Sequence, residues 1–251
     1  MKRFRWRRAP FRLAAMKRML PFFLLVSPVS GQAQALVCQV PERLADWRVE
    51  QPPVSEVLRV PVQGYLLSLS WSPQFCRGQR ADPDQSGQCS ATAKFGFVLH
   101  GLWPEGSGQR DPAWCAPAQA LPESLVRQHF CMTPSADLLQ HEWAKHGTCM
   151  TDRPERYFNS AARLYRAVRF PDMDALSRRR LTTGQFIAAF AAANPGLRAD
   201  MIRISATEEG WLREVRLCLD TGLQRRACPG DEPGYPPRRT LKIWRDGHAP
   251  Y

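Results

Sequence analysis

Residues 65–71, Tyr-Leu-Leu-Ser-Leu-Ser-Trp, alternate so that Tyr65, Leu67, Leu69 and Trp71 fall on one face. That period of two predicts a half-buried strand. Phe95 to His100 predicts a second strand, with Phe95, Phe97 and Leu99 on its apolar face and His100 on the opposite face beside Val98 and Gly96. The polar segment 77–92 reads as a loop, and the irregular, Pro-containing segment 36–62 as a surface wrap. The period then becomes helical. Residues 135–146 fit a short helix with Ser135 or Thr133 as N-cap and Gly147 as terminator. Residues 155–169 place Tyr157, Ala161, Leu164, Tyr165 and Val168 at helical spacing. Thr182-x-x-Gln185 reads as a capping box opening a helix that stops near Asn194-Pro195-Gly196. Residues 214–219, and 241–244 after a Pro-rich loop at 229–237, return to strands. With no repeat, no long linker and no regular βαβ alternation, the pattern predicts one α+β domain. Its central, largely antiparallel sheet is flanked by helices.

Charge changes this picture little. The chain of 251 residues has a formal net charge of +12, but the first 35 residues hold eight Lys or Arg and no acid. The remainder carries 27 basic against 23 acidic residues, a balance that permits a polyanionic partner without demanding one. The N-terminal stretch has a basic region ending at Arg18, an apolar run from Met19 to Val29 and the small-residue site Ala33-Gln34-Ala35. This is the layout of a signal peptide, residues 1–35, cleaved after Ala35, leaving 36–251 as the mature domain. The start is Met1 or Met16. The apolar run is short for a membrane span, so the expectation is export to periplasm or medium with no stable insertion after cleavage.

Eight cysteines lie beyond the expected cleavage site. An even count in an exported chain predicts disulfide staples, and no C-x-x-C spacing suggests a zinc ribbon.

Two segments carry the candidate chemistry: Phe97-Val98-Leu99-His100-Gly101-Leu102-Trp103-Pro104, and His141-Glu142-Trp143-Ala144-Lys145-His146-Gly147-Thr148-Cys149. On a helical wheel with His141 at zero, Lys145 falls at about 40°, Glu142 at about 100° and His146 at about 140°. Histidines at i,i+5 differ from the i,i+4 pair of zinc-protease helices, so the spacing predicts no metal site. A strand histidine facing a helix with Glu, Lys and His suits cleavage of RNA by its own 2′-hydroxyl. That reaction needs a base, an acid and cations around the phosphorane oxygens, and no cofactor. A lone His100, or a lone Glu142–His146 pair, would more often be structural. Their joint occurrence favours chemistry.

Both segments resemble the two active-site segments of the ribonuclease T2 family, in the family's order. The resemblance runs over roughly residues 64–229 and includes Leu67 to Cys76, Tyr157-Phe158, Glu214 to Cys218 and Cys228-Pro229. It implies His100 as general acid, His146 as general base, Glu142 and Lys145 as transition-state stabilisers, His141 as a phosphate-binding residue and Trp103 as an aromatic platform for a base. It further implies 2′,3′-cyclic phosphate products hydrolysed to 3′-phosphates, and an α+β fold. By analogy the cysteines pair as Cys76–Cys89, Cys115–Cys149 and Cys218–Cys228, which leaves Cys38–Cys131. The expected partner is RNA and not DNA, the expected state a monomer. The competing expectation is an RNA-binding or extracellular effector of the same fold with little catalysis. His129 and His248 read as surface or loop residues, and Arg178-Arg179-Arg180 as a solvated run able to attract RNA.

Overall fold

The computed structural model describes residues 35–50, 52–79, 86–90, 93–108, 110–230 and 234–245. The expected leader, apart from Ala35, and His248 lie outside them. The described residues all lie within one compact unit.

The alternating segments form strands, as predicted. Strand β1 spans Ala35–Val37, β2 Gly64–Trp71, β3 Lys94–Phe95 and β4 Phe97–Glu105. Strands β5 (Leu181–Thr182), β6 (Ile202–Ala206), β7 (Leu212–Leu219) and β8 (Thr240–Leu241) complete the set. A four-stranded antiparallel sheet has the order β4-β2-β7-β6, and the short strands form two further pairs, β1-β3 and β5-β8. The expected strand 95–100 is therefore split at Gly96 and extended to Glu105. The one expected at 241–244 is reduced to Thr240–Leu241, paired with β5, and beyond it Lys242 makes a single bridge to Trp211.

Helix α1 covers Ser72–Phe75, α2 Ser86–Cys89, α3 Glu123–His129, α4 Ala136–Lys145, α5 Pro154–Ala167, α6 Met173–Ser177 and α7 Thr183–Ala193. Leu67, Leu69, Phe97, Leu99, Leu102, Val215 and Leu217 of the sheet share one buried core with Tyr157, Phe158 and Ala161 of α5 and Phe186 and Phe190 of α7. Burying such side chains contributes about 1.5–3 kcal/mol each. Thr182 and Gln185 form both halves of the capping box that opens α7.

Strand β4 lies at the sheet edge, where unpaired backbone groups need partners. Side chains supply them. Tyr165 Oη donates to Phe97 O (2.7 Å), Tyr157 Oη donates to Leu102 O (3.2 Å), and Thr133 Oγ1 donates to Leu99 O (2.8 Å). Thr133 is thus committed to the strand, and Ser135 is the residue that caps α4, accepting from Leu138 N.

Disulfides join Cys38 to Cys131, Cys76 to Cys89, Cys115 to Cys149 and Cys218 to Cys228. They are the three pairs implied by the resemblance and the one left over. Two readings change. Gly147 opens a 3-10 turn, Gly147–Cys149, and what demands glycine there is packing, since a Cβ would lie 2.4 Å from the Trp143 ring. His129 is buried at 2 % exposure and stacks on Phe158 at 5.3 Å between ring centroids. Burial, with the charge of Arg166, lowers its pKa, and the ring belongs to the core and not to the surface.

Candidate active site

Strict alternation would put His100 and Trp103, three residues apart, on opposite faces of β4. A bulge prevents this. Ser68 of β2 pairs with Gly101 and the next residue, Leu69, pairs with Leu99, so His100 is the extra residue. The parity of the strand flips, and the two rings meet edge to face at 4.9 Å. Phe97, Leu99 and Leu102 stay in the core.

His100 is fixed from across the sheet, over the intervening strand β2. Its Nδ1 donates to Glu214 Oε1 on β7 at 2.6 Å, which directs Nε2 toward Glu142 Oε1 at 3.6 Å. Glu214 is itself held by the Arg216 guanidinium (2.8 and 3.0 Å) and by Ser70 Oγ (3.2 Å). Burial works against ionised Glu214, yet hydrogen bonding and charge from His100 and Arg216 hold its pKa at about 2. Burial likewise pulls His100 down, but the Glu214 hydrogen bond and the charges of Glu142 and Glu214 outweigh it, and its pKa is raised.

Glu142 projects from α4 with 2 % exposure. Burial pushes its carboxyl up to about 7, against the pull of His100, Trp103 and Lys145. Trp103 Nε1 donates to Glu142 Oε2 at 2.8 Å. Gly101 makes the approach possible, because a Cβ there would stand 1.8 Å from that same oxygen. Arg216 lies over the Trp103 ring at 5.1 Å, and the His146 ring is tilted against it at 5.6 Å. The indole thus spaces the two histidines while holding Glu142.

His146 is the C-cap of α4, with φ −110° and ψ −44°. Its half-buried ring keeps Nδ1 without a hydrogen-bond partner among the described residues. Burial, with Lys145, His141 and His100 adding repulsion, lowers its pKa to about 2. His141 is half-buried, and its Nδ1 lies 2.9 Å from both Glu50 oxygens. Trp114 packs edge-on against His141 at 5.5 Å and donates from its backbone N to Lys145 O at 2.8 Å. Trp114 holds a φ of 55°, a left-handed value that costs a bulky residue about 1 kcal/mol or more, beside the Cys115–Cys149 bridge. Next to these groups runs a cleft of about 580 Å³ lined by His100, His141, Ser70, Gln74, Phe75 and Glu214.

All six expected site residues therefore surround one locus, with one correction. The i,i+5 spacing does not keep the imidazoles apart. Ligand atoms of His141, Glu142 and His146 lie within 4.8 Å of one another, because His146 is a cap residue outside the regular helix. Spacing alone gives no ground for excluding a metal. Sequence reasoning missed Glu214, Arg216, Gly101 and Glu50. Alternation on β7, which sets Glu214 and Arg216 on one face between apolar neighbours, is the signal that points to the first two.

Comparison with known proteins gives the chain its relatives. Residues 62–228 match the Ribonuclease T2 family. A probable ribonuclease of Haemophilus influenzae is 34% identical over 186 residues, covering 70% of this chain and 64% of that protein. A ribonuclease of Aeromonas hydrophila is 44% identical over 86 residues, 34% of this chain and 36% of that one. The chain thus spans less than two thirds of either relative. Trichomaglin, described as an S-like ribonuclease, has a similar fold, with a TM-score of 0.59 at 21% identity, over 72% of this chain and 97% of that one. With a matched stretch that takes in both histidine segments and Glu214, the chain belongs to the ribonuclease T2 family.

Proposed function

We propose that this protein is an endoribonuclease that cleaves single-stranded RNA by metal-independent transesterification. The observation that carries the reading is the meeting of two imidazoles around Trp103, one of them, His100, bonded to Glu214 and so favoured in its charged form, the other, His146, with Nδ1 unpartnered among the described residues and driven by burial toward its neutral form. Neutral His146 takes the proton of the ribose 2′-hydroxyl as the O2′–P bond forms. Protonated His100 gives its Nε2 proton to the 5′-oxygen as the P–O5′ bond breaks. The product is a 2′,3′-cyclic phosphate. Water then opens it to a 3′-phosphate with the two histidines in exchanged roles.

Glu142, with a pKa of about 7, is available as a protonated donor to a phosphoryl oxygen, and Lys145 stabilises the developing charge. His141, with Nδ1 held by Glu50, offers Nε2 to a phosphate. Trp103 remains a candidate for stacking on a base, although Arg216 already lies over its ring. Glu214 is a positioning residue that fixes the tautomer of His100.

The site's geometry also admits a metal, so the deciding assay is degradation of polymeric RNA in excess EDTA by wild type, His100→Phe and His146→Phe. Full wild-type activity, with both variants inactive, is expected. Loss of activity in EDTA overturns the metal-free mechanism, and active variants overturn the assignment of the histidines. DNA, lacking the 2′-hydroxyl, stays intact. We further propose export through cleavage after Ala35 and a monomeric mature chain 36–251, not inserted in the membrane. Four disulfides support passage through an oxidising compartment, and N-terminal sequencing of the exported protein tests the cleavage point.

A further inference from the structure

A second cleft matches the first in size, about 570 Å³. Its walls carry Arg179 and Arg180 just ahead of β5, and Arg238, Arg239 and Lys242 around β8, with Glu209 of the β6–β7 turn as its single acid. All five cations are exposed, and among the described residues none of them forms an ion pair. Arg178, one residue earlier in the same run, is neutralised by Asp174, which also takes Arg245.

The backbone under these charges is well tied. Leu181 and Thr182 pair with Leu241 and Thr240. Thr183 N donates to Arg239 O (3.0 Å), Gly184 N to Pro237 O (2.9 Å) and Lys242 N to Gly210 O (2.7 Å). Lys242 stands over the Trp211 ring at 5.3 Å and Arg239 over Tyr235 at 5.8 Å, placements that orient the cationic ends.

Exposed arginines are ordinarily solvated one by one. Here five cations converge on one concavity, where their mutual repulsion is relieved by a polyanion and where counterion release favours binding one. The cleft lies beside the same turn as the first. The turn between β6 and β7 separates them, with Thr207 lining the His100 cleft and Glu209 the basic one. Arg213 lines the His100 cleft, and Arg77 stacks on Trp211 and Trp244 beside Lys242. Positive charge therefore continues around the turn.

We propose that the basic cleft is a second binding site for the phosphates of an RNA strand, holding polymeric RNA on the far side of the β6–β7 turn from His100. The naming of RNA rests on the ribonuclease reading; the polyanion site does not. The test compares wild type with Arg180→Ala/Arg238→Ala/Lys242→Ala, all at exposed positions. Binding of a nuclease-resistant 2′-O-methyl RNA long enough to span both clefts is measured against salt. The slope of log K against log salt should shrink by about two, roughly 0.7 for each phosphate that the variant no longer neutralises, with affinity down about tenfold. Cleavage of a dinucleotide, which reaches only the His100 cleft, should be unchanged while kcat/KM on polymeric RNA falls. Unchanged slope and affinity overturn the proposal, as does an equal fall on dinucleotide and polymer. Binding needs no cleavage, so a wild type that fails to cut RNA counts against the ribonuclease reading alone.

Discussion

His100 sits on a strand and meets a carboxyl group on both sides, Glu214 at 2.6 Å and Glu142 at 3.6 Å, whereas His146 caps a helix and keeps a buried nitrogen unpaired among the described residues. Both rings are half-buried, and both lose free energy on charging in a partly desolvated site. Only His100 recovers it, because a carboxylate already ionised and pinned by Arg216 waits at hydrogen-bond distance. His146 instead faces Lys145, His141 and His100, all cations or potential cations. Chemically identical side chains are thereby driven in opposite directions by what the neighbouring elements present. A proton donor held charged beside an acceptor held neutral is the pair of states from which one-step acid–base transfer starts.

The strongest way to break the comparison is to remove either ring. His100→Phe and His146→Phe should each lower kcat on RNA by about 10²–10⁴-fold while leaving the fold intact by circular dichroism. A variant that keeps near wild-type turnover removes its histidine from the chemistry. A smaller loss is expected from Gly101→Ala, whose methyl group would collide with Glu142 Oε2. Displacing that carboxyl from Trp103 Nε1 should cost about 1–3 kcal/mol of stability and about tenfold or more in rate, read by thermal melting and kinetics on one preparation. Unchanged melting and rate would mean that Glu142 does not need its place under β4.

Glu214→Gln sharpens the comparison without removing a ring. The amide keeps the size of the side chain but not the charge, so the His100 pKa should fall and the alkaline limb of the pH–rate profile should move to lower pH. The rate at neutral pH should fall about tenfold, and the acid limb, governed by His146, should stay where it is. A purely structural role for Glu214 would lower the plateau and leave both limbs in place.

Much of this contrast is legible in the chain alone. Alternation located β2 and β4, helical spacing located α4 and α5, and the capping box located α7, because each pattern reports burial of one face. The clustering of three of five histidines in two short segments marked the site. What escaped was long-range. The bulge at His100 depends on how β2 and β4 align, and no local pattern in either strand encodes a register slip. Glu214 reaches His100 from 114 residues away and Glu50 reaches His141 from 91 residues away. The wheel failed at His146 for a related reason: it assumes a regular helix one residue past the point where the helix ends.

The smallest effect expected is also the one that tests the comparison in the resting protein, as stability against pH. His146 has a folded pKa of about 2 against an ordinary 6.5, so between those values the unfolded chain holds the extra proton and stability rises with pH. Glu142 has a folded pKa of about 7 against an ordinary 4.5, so between those values the folded chain holds the extra proton and stability falls with pH. From pH 4.5 to 6.5 the two slopes oppose each other, each at most about 1.4 kcal/mol per pH unit. Their joint contribution to the wild-type slope in that window should be small. His146→Phe should leave the Glu142 slope exposed, with denaturant midpoints falling as pH rises, and Glu142→Gln should expose the opposite slope. Two variants with the same sign of change relative to wild type would mean that at least one of these groups titrates at its ordinary value in the folded protein, and the assigned contrast between the neutral base and the buried acid would fail.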